Sequence, residues 1–109
     1  MRAARLRRSR DIAAVRSEGR SLRRAAFNAR VRRSGEPMTR IAVTAPRAIG
    51  TAVVRSRARR RVREAFRREL STSGSSGVDI LVTVRPEAVS TPFPALASDV
   101  QSVLREARG

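Results

Sequence analysis

The order of the residues predicts a small α+β domain, read as helix, strand, strand, helix, strand, helix. Apolar residues recur at helical spacing in residues 9–18, 51–70 and 92–107. They alternate with polar ones in residues 27–33, and they run unbroken through Ile80, Leu81 and Val82. The chain of 109 residues makes one domain, with no internal repeat. Phe27, Phe66 and Phe93 are its only aromatics, so the core has to be built from Val, Ile, Leu and Ala.

The elements follow in order. Ser9–Glu18 is expected as a helix, with Ser9 as cap, Asp11 in the first turn, Ile12 and Val15 on one face, and Gly19 as the stop. Residues 21–33 are expected as a strand whose Phe27, Ala29 and Val31 face one way and Asn28, Arg30 and Arg32 the other. Residues 34–37 form a turn, and residues 40–45 a second strand that pairs with the first as an antiparallel hairpin. Pro46 and Gly50 bracket a loop, and Thr51 caps a long helix over residues 51–70. Residues 71–77, rich in Ser and Gly, read as a flexible loop. Val78–Val84 reads as a strand buried on both faces, ended by Arg85 and Pro86. Phe93, Leu96, Val100, Val103 and Leu104 give the last helix its apolar stripe.

Charge limits the function classes. The 25 cations face nine carboxylates, for a net charge of +16. Self-repulsion of that size favours a polyanionic partner. Every cation is Arg, whose planar fork matches phosphate and stacks on bases. A genomic bias towards Arg accounts for the missing Lys but not for the net charge. With no Cys and no His, disulfides, thiol nucleophiles, zinc fingers and the commonest general base are all excluded. No stretch approaches the roughly 18 apolar residues of a membrane span, and the basic start lacks the apolar run of a secretory signal, so a cytoplasmic location is expected.

The long helix carries the functional argument. At about 100° per residue, Val54, Ala58, Val62, Ala65 and Phe66 cover one side, with Leu70 at its edge. Arg57, Arg60, Arg61, Arg67 and Arg68 cover the other, Arg55 and Arg59 sit on the border, and Arg63 lies nearly opposite Val54. A solvated face normally interleaves Glu with Arg, yet only Glu64 and Glu69 oppose eight arginines here. Like charges four residues apart, as in Arg57–Arg61 and Arg59–Arg63, destabilise the helix unless phosphates meet them. If six of these arginines touch phosphates, the log–log slope of affinity against salt is about −4 to −5.

Residues 52–67 resemble the signature of the ribonuclease P protein family, an Arg-Asn-Arg core followed by a basic amphipathic helix. Arg10-Asp11, Gly19-Arg20-Ser21, Ile49-Gly50, Asp79-Ile80 and Arg85-Pro86 extend the likeness over nearly the whole chain. The resemblance implies a two-layer domain with three helices and a mostly antiparallel sheet of about four strands, like the second domain of ribosomal protein S5. It also implies a left-handed βαβ crossover through the arginine helix, against the usual hand.

The functional implications of the resemblance are equally definite. The chain would bind the catalytic RNA of ribonuclease P and the single-stranded 5′ leader of precursor tRNA, with no DNA or membrane partner. The RNA and its Mg²⁺ would hydrolyse the phosphodiester. Arg55, Ser56, Arg57, Arg59, Arg60, Arg61, Arg63 and Arg67 fall on the signature and inherit RNA contact. Ile12, Arg16, Phe27 and Arg30 are the candidates for the leader groove. The chain departs from the family at Ser56, where the central Asn stands, at Thr51, where Asn is usual, and at Ile12 and Arg16, where the groove usually carries aromatics. Arg16 can still stack on a base through its guanidinium plane.

Other readings share the charge and size. A ribosomal protein or general RNA chaperone would bind RNA without a cleaving partner. A helix-turn-helix DNA binder needs a helix just before Thr51, where strand and loop signals stand instead. A stand-alone nuclease lacks the clustered carboxylates of a two-metal site.

Overall fold

The computed structural model describes residues 4–73 and 77–108. Strands β1 (Ala4–Arg5), β2 (Arg20–Arg23), β3 (Phe27–Arg33), β4 (Arg40–Thr44) and β5 (Val78–Val84) form one sheet in the order β1-β4-β5-β3-β2. Helices α1 (Ser9–Glu18), α2 (Ala52–Ser73) and α3 (Phe93–Arg108) complete the fold, with one-turn helices at Arg47–Ile49 and Pro86–Val89. No described helix is long and apolar enough to cross a membrane.

The helices cover both faces, so the domain has three layers rather than the expected two. On one face α1 buries Val15 against Leu6 and Leu81, with Ile12 and Ala42 packed alongside. On the other, α2 and α3 bury Ala58, Val62, Phe66, Leu96, Val100 and Val103 against Phe27, Ile80 and Val82. The alternation of β5 explains the split, since Ile80 and Val82 point one way and Leu81 the other. This is the double-sided burial that its unbroken apolar run predicts.

That burial also overturns the expected hairpin. β5 lies between β3 and β4, antiparallel to the first and parallel to the second. The strand that is apolar on both faces takes the centre, because only there are both faces covered. β3 instead pairs with β2 in a tight hairpin, Arg23 opposite Asn28, with the Arg24 N–H donating to the Phe27 carbonyl at 2.8 Å. The single strand expected over residues 21–33 is therefore two. Its turn, Arg24-Ala25-Ala26, carries none of the usual turn residues, so the sequence hides it. With β1 parallel to β4, the sheet has five strands and is mixed, not four and mostly antiparallel. The parallel β4–β5 pair requires a crossover, and α2 supplies it.

The helix boundaries follow local chemistry. α1 spans the predicted residues, but Arg8 occupies the cap position and Ser9 is the first helical residue. At its end the Gly19 N–H donates to the Val15 carbonyl at 2.8 Å. A Cβ on Gly19 would lie 2.3 Å from that oxygen, so only glycine closes the helix this tightly. Thr51 caps α2 as predicted, its Oγ1 accepting from the Val54 N–H at 3.3 Å. α2 runs three residues past its predicted end into the expected flexible loop. There Ser71 Oγ and Thr72 Oγ1 both donate to the Arg68 carbonyl, at 2.8 and 3.1 Å. The rest of that loop, residues 74–76, lies outside the described residues.

Two arginines are held at the heart of the fold by acceptors of the protein itself. Arg40 at the start of β4 donates to both oxygens of Asp79 at 2.8 and 2.6 Å, and its third nitrogen reaches Asp11 of α1 at 3.3 Å. Asp79 is fully buried, and its hydrogen bonds hold the Arg40 guanidinium above its ordinary pKa. This ion cluster ties α1 to the centre of the sheet.

Arg61 is the second, and it corrects the expectation that it stands on the outer face of α2. Its guanidinium turns to the protein and donates to the carbonyls of Ala88, Val89 and Thr91 at 2.7, 3.1 and 2.7 Å. These oxygens end the one-turn helix between β5 and α3, where a cation satisfies unpaired carbonyls. On the wheel Arg61 falls beside Val54, seven residues earlier, at the edge of the buried face.

Replacing Arg40 by Ala leaves the Asp79 carboxylate buried and uncompensated, which is expected to cost about 3 kcal/mol. Urea unfolding measures this, and an Arg40→Met, Asp79→Leu double variant is expected to recover most of the loss.

Candidate nucleic-acid interface

The back of α2 fixes what its front presents. Ala58, Val62, Ala65 and Phe66 are fully buried and Leu70 nearly so, while Val54 is half-buried at the start. The opposite face carries Arg57, Arg60 and Arg63, all exposed. None of these three makes an ion pair or hydrogen bond with another described residue. Arg55 and Arg59 lie on the border as expected: Arg55 Nε donates to the Ala45 carbonyl, and Arg59 Nη2 to Ser56 Oγ, each at 3.3 Å.

The C-terminal half of the same face is partly compensated. Glu64 accepts from Arg67 at 3.0 and 2.5 Å and from Arg68 at 3.1 Å. The two guanidinium groups hold its carboxyl down to about 2, so it stays ionised throughout the physiological range. Arg68 also lies 5.0 Å from the Phe93 ring centre, over its face. Free positive charge therefore concentrates in the N-terminal two-thirds of the helix.

Two concavities flank this face. One, of about 370 Å³, lies along the first turns of α2 and is lined by Ala52, Val53, Ser56, Arg57 and Arg60. The other, of about 380 Å³, opens where β1 ends at Arg5 while β4 continues to Thr44. Its floor is Leu6, Ile41 and Val43, and its rim carries Arg5, Arg7, Arg63 and Arg67. Burial, then the like charges of Arg5 and Arg59, lower the pKa of Arg63, as expected for cations gathered without an acid. Sequence reasoning missed Arg5 and Arg7, because a two-residue strand has no periodicity to read.

Several cations elsewhere are used internally. Arg24 pairs with Glu106 and donates to Ser102 Oγ at 2.8 Å, and Arg20 donates to the Glu106 carbonyl at 2.5 Å, tying the β2–β3 hairpin to α3. Arg32 pairs with Glu18 at 3.2 Å.

Of the four groove candidates, the structure gathers three around α1. Ile12 is half-buried against the cluster of Leu6, Val15 and Leu81, and Arg16 is exposed in the last turn. Arg30 Nη2 donates to the Gly19 carbonyl at 2.7 Å and Nε to the Val15 carbonyl at 3.4 Å, completing the end of the helix. Phe27 does not belong with them. It is fully buried on the opposite face of the sheet, edge-on to Phe66 with ring centres 5.5 Å apart. Residues three apart on a strand point to opposite faces, so Phe27 and Arg30 cannot line one groove.

The donor set does not fit a divalent cation. Among the described residues no three Asp or Glu side chains converge, and Asp11 and Asp79 are both engaged by Arg40.

Comparison with known proteins agrees with this architecture. The family described as Ribonuclease P matches residues 1–108. The ribonuclease P protein component of Chloroflexus aurantiacus is 39% identical over 107 residues, covering 97% of this chain and 78% of that protein. That of Chloroflexus aggregans is 40% identical over the same shares. The solved structure of the RNase P protein from Thermotoga maritima superposes with a TM-score of 0.81 at 29% identity, covering 96% of this chain and 98% of that one. The Staphylococcus aureus RNase P protein, at 22% identity and a TM-score of 0.78 over 97% and 96% of the two chains, shares the fold. The readings as a ribosomal protein, an RNA chaperone or a DNA binder are thereby set aside. The chain belongs to the ribonuclease P protein family, the protein subunit of the ribonucleoprotein endoribonuclease that matures tRNA 5′ ends.

Proposed function

We propose that this subunit grips the catalytic RNA through Arg57, Arg60 and Arg63, bordered by Arg55, Ser56 and Arg59 and extended by Arg67. The observation that carries the reading is the absence of any described partner for the first three on a helix whose opposite side is locked into the core. Phosphates complete what the protein leaves open. Arg61 and Phe27 have no part in this contact, since both are spent on the fold.

Helix α1 serves the second nucleic acid, the single-stranded 5′ leader of precursor tRNA. Ile12 offers an apolar side and Arg16 a planar cation on which an unpaired base can stack, while Arg30 holds the C-terminus of the helix in place. The protein supplies binding and orientation. With no carboxylate cluster among its described residues, the Mg²⁺ that the hydrolysis needs belongs with the RNA and the substrate. The work is cytoplasmic, alongside tRNA synthesis.

Two outcomes test this. Arg57→Ala with Arg60→Ala is expected to weaken binding to the RNA and to reduce the slope of log affinity against log salt by about two. Arg61→Ala is expected to leave that slope unchanged and to lower the denaturation midpoint, reversing the order that a wholly cationic outer face would give.

In reconstitution, the purified protein alone is expected to cleave nothing. Mixed with its cognate RNA, it is expected to raise precursor-tRNA cleavage at low salt and low Mg²⁺. A mixture no faster than the RNA alone contradicts the assignment.

A further inference from the structure

Val53 is the only large hydrophobic residue among the described ones that stands exposed, at 69%. An exposed valine alone signifies little; its position is what carries the argument. It lies in the first turn of α2, three, four and seven residues before Ser56, Arg57 and Arg60, the spacing that places side chains on one helix face. With Ala52 these residues line the concavity of about 370 Å³ described above. An apolar side chain therefore stands at the N-terminal end of a group made of a hydroxyl and two guanidinium groups that have no described acid to answer them.

The fold does not account for Val53. The residue belongs to neither core cluster, and a β-branched residue on an exposed helix face is a poorer helix former than Ala. The chemistry around it selects the occupant. The two cations call for anionic groups, the hydroxyl of Ser56 both donates and accepts, and the valine methyls call for an apolar surface. A nucleotide with a phosphate on each side combines all three, and the concavity is of the size that holds a small ligand. Paired bases hide their faces in the stack and offer only phosphate and 2′-hydroxyl, so the nucleotide has to be unpaired. A second copy of this chain fits poorly, because two such faces would bring like charges together.

We propose that Val53 seats the sugar and base face of one unpaired nucleotide of the RNA partner, with Arg57 and Arg60 on its flanking phosphates and Ser56 at its 2′-hydroxyl. The proposal deepens the reading of α2 as the RNA-binding face and rests on it. It assigns the first turn of α2 a preference for RNA shape, in addition to charge.

The test measures binding of full-length Val53→Ala, Val53→Leu and Arg57→Ala proteins to the cognate ribonuclease P RNA and to a fully paired RNA duplex, across a salt series. Val53→Ala is expected to bind the cognate RNA roughly fivefold more weakly at every salt concentration, as a parallel line of unchanged slope. It is expected to match the wild type on the duplex and to keep its thermal midpoint. Val53→Leu is expected to retain most of the affinity. Arg57→Ala is expected to lower the slope by about one on both RNAs.

If Val53→Ala binds like the wild type while Arg57→Ala is weakened, the proposal fails and the α2 reading stands. If neither variant changes binding, both fail. An equal loss on duplex and cognate RNA also overturns the proposal. So does a wild-type dimer, seen by sedimentation, that Val53→Ala dissolves, since it would assign the contact to a second copy.

Discussion

Phe66 of α2 meets Phe27 of β3 edge-on, and around that contact Val62, Ile80 and Val82 are sealed from water. This packing sets the rotation of α2 about its own axis. Once Phe66 and Ala65 face the sheet, Arg57, Arg60 and Arg63 have to face away, and Arg61 has to lie beside the segment that follows β5. The direction of the exposed arginines is thus a consequence of core packing. With only three aromatics in the chain, two of them in this contact, the orientation depends on few large groups. Truncating Phe66 would loosen a core and misdirect the arginine face together.

The charge balance has a corresponding logic. The carboxylates are placed where they immobilise structure: Asp79 and Asp11 on Arg40, Glu106 on Arg24, Glu18 on Arg32. Backbone carbonyls do the same at Arg61 and Arg30, where helix ends would otherwise lie open. Among the arginines without a described partner, Arg57, Arg60 and Arg63 share one face of α2. A protein with a net charge of +16 keeps its fold by sorting its guanidinium groups into two uses, since too few acids exist to neutralise them all. Glu64 marks the boundary, restraining Arg67 and Arg68 and leaving the earlier turns unanswered.

Much of this could be read from the residues alone, and the failures have physical causes. The helices at Ser9–Glu18 and Phe93–Arg108 and the strand at Val78–Val84 follow from periodicity and stop signals. The family signature over residues 52–67 gave the function. Pairing was a different matter. β5 enters between β3 and β4 from some 35 residues downstream, and no local pattern announces a partner at that distance. The β2–β3 turn lacks Gly, Pro, Asn and Asp, and β1 is two residues long, so neither left a trace. Arg61 and Phe27 lie elsewhere than expected for another reason. The wheel sets Arg61 beside Val54, at the edge of the buried face, and its partner is a segment some 30 residues away, while Phe27 was assigned by its aromatic character against its strand parity.

The central claim is that α2 carries two populations of arginine, one bound to the protein and one awaiting phosphate. Arginine-selective chemical modification, read by mass spectrometry with and without the cognate RNA, separates them most directly. The account predicts that Arg57, Arg60 and Arg63 react in the free protein and are protected by RNA, while Arg61 is unreactive in both states. Reaction of Arg61 in the free protein together with its protection by RNA, or equal reactivity of Arg57, Arg60 and Arg63 with and without RNA, would contradict it.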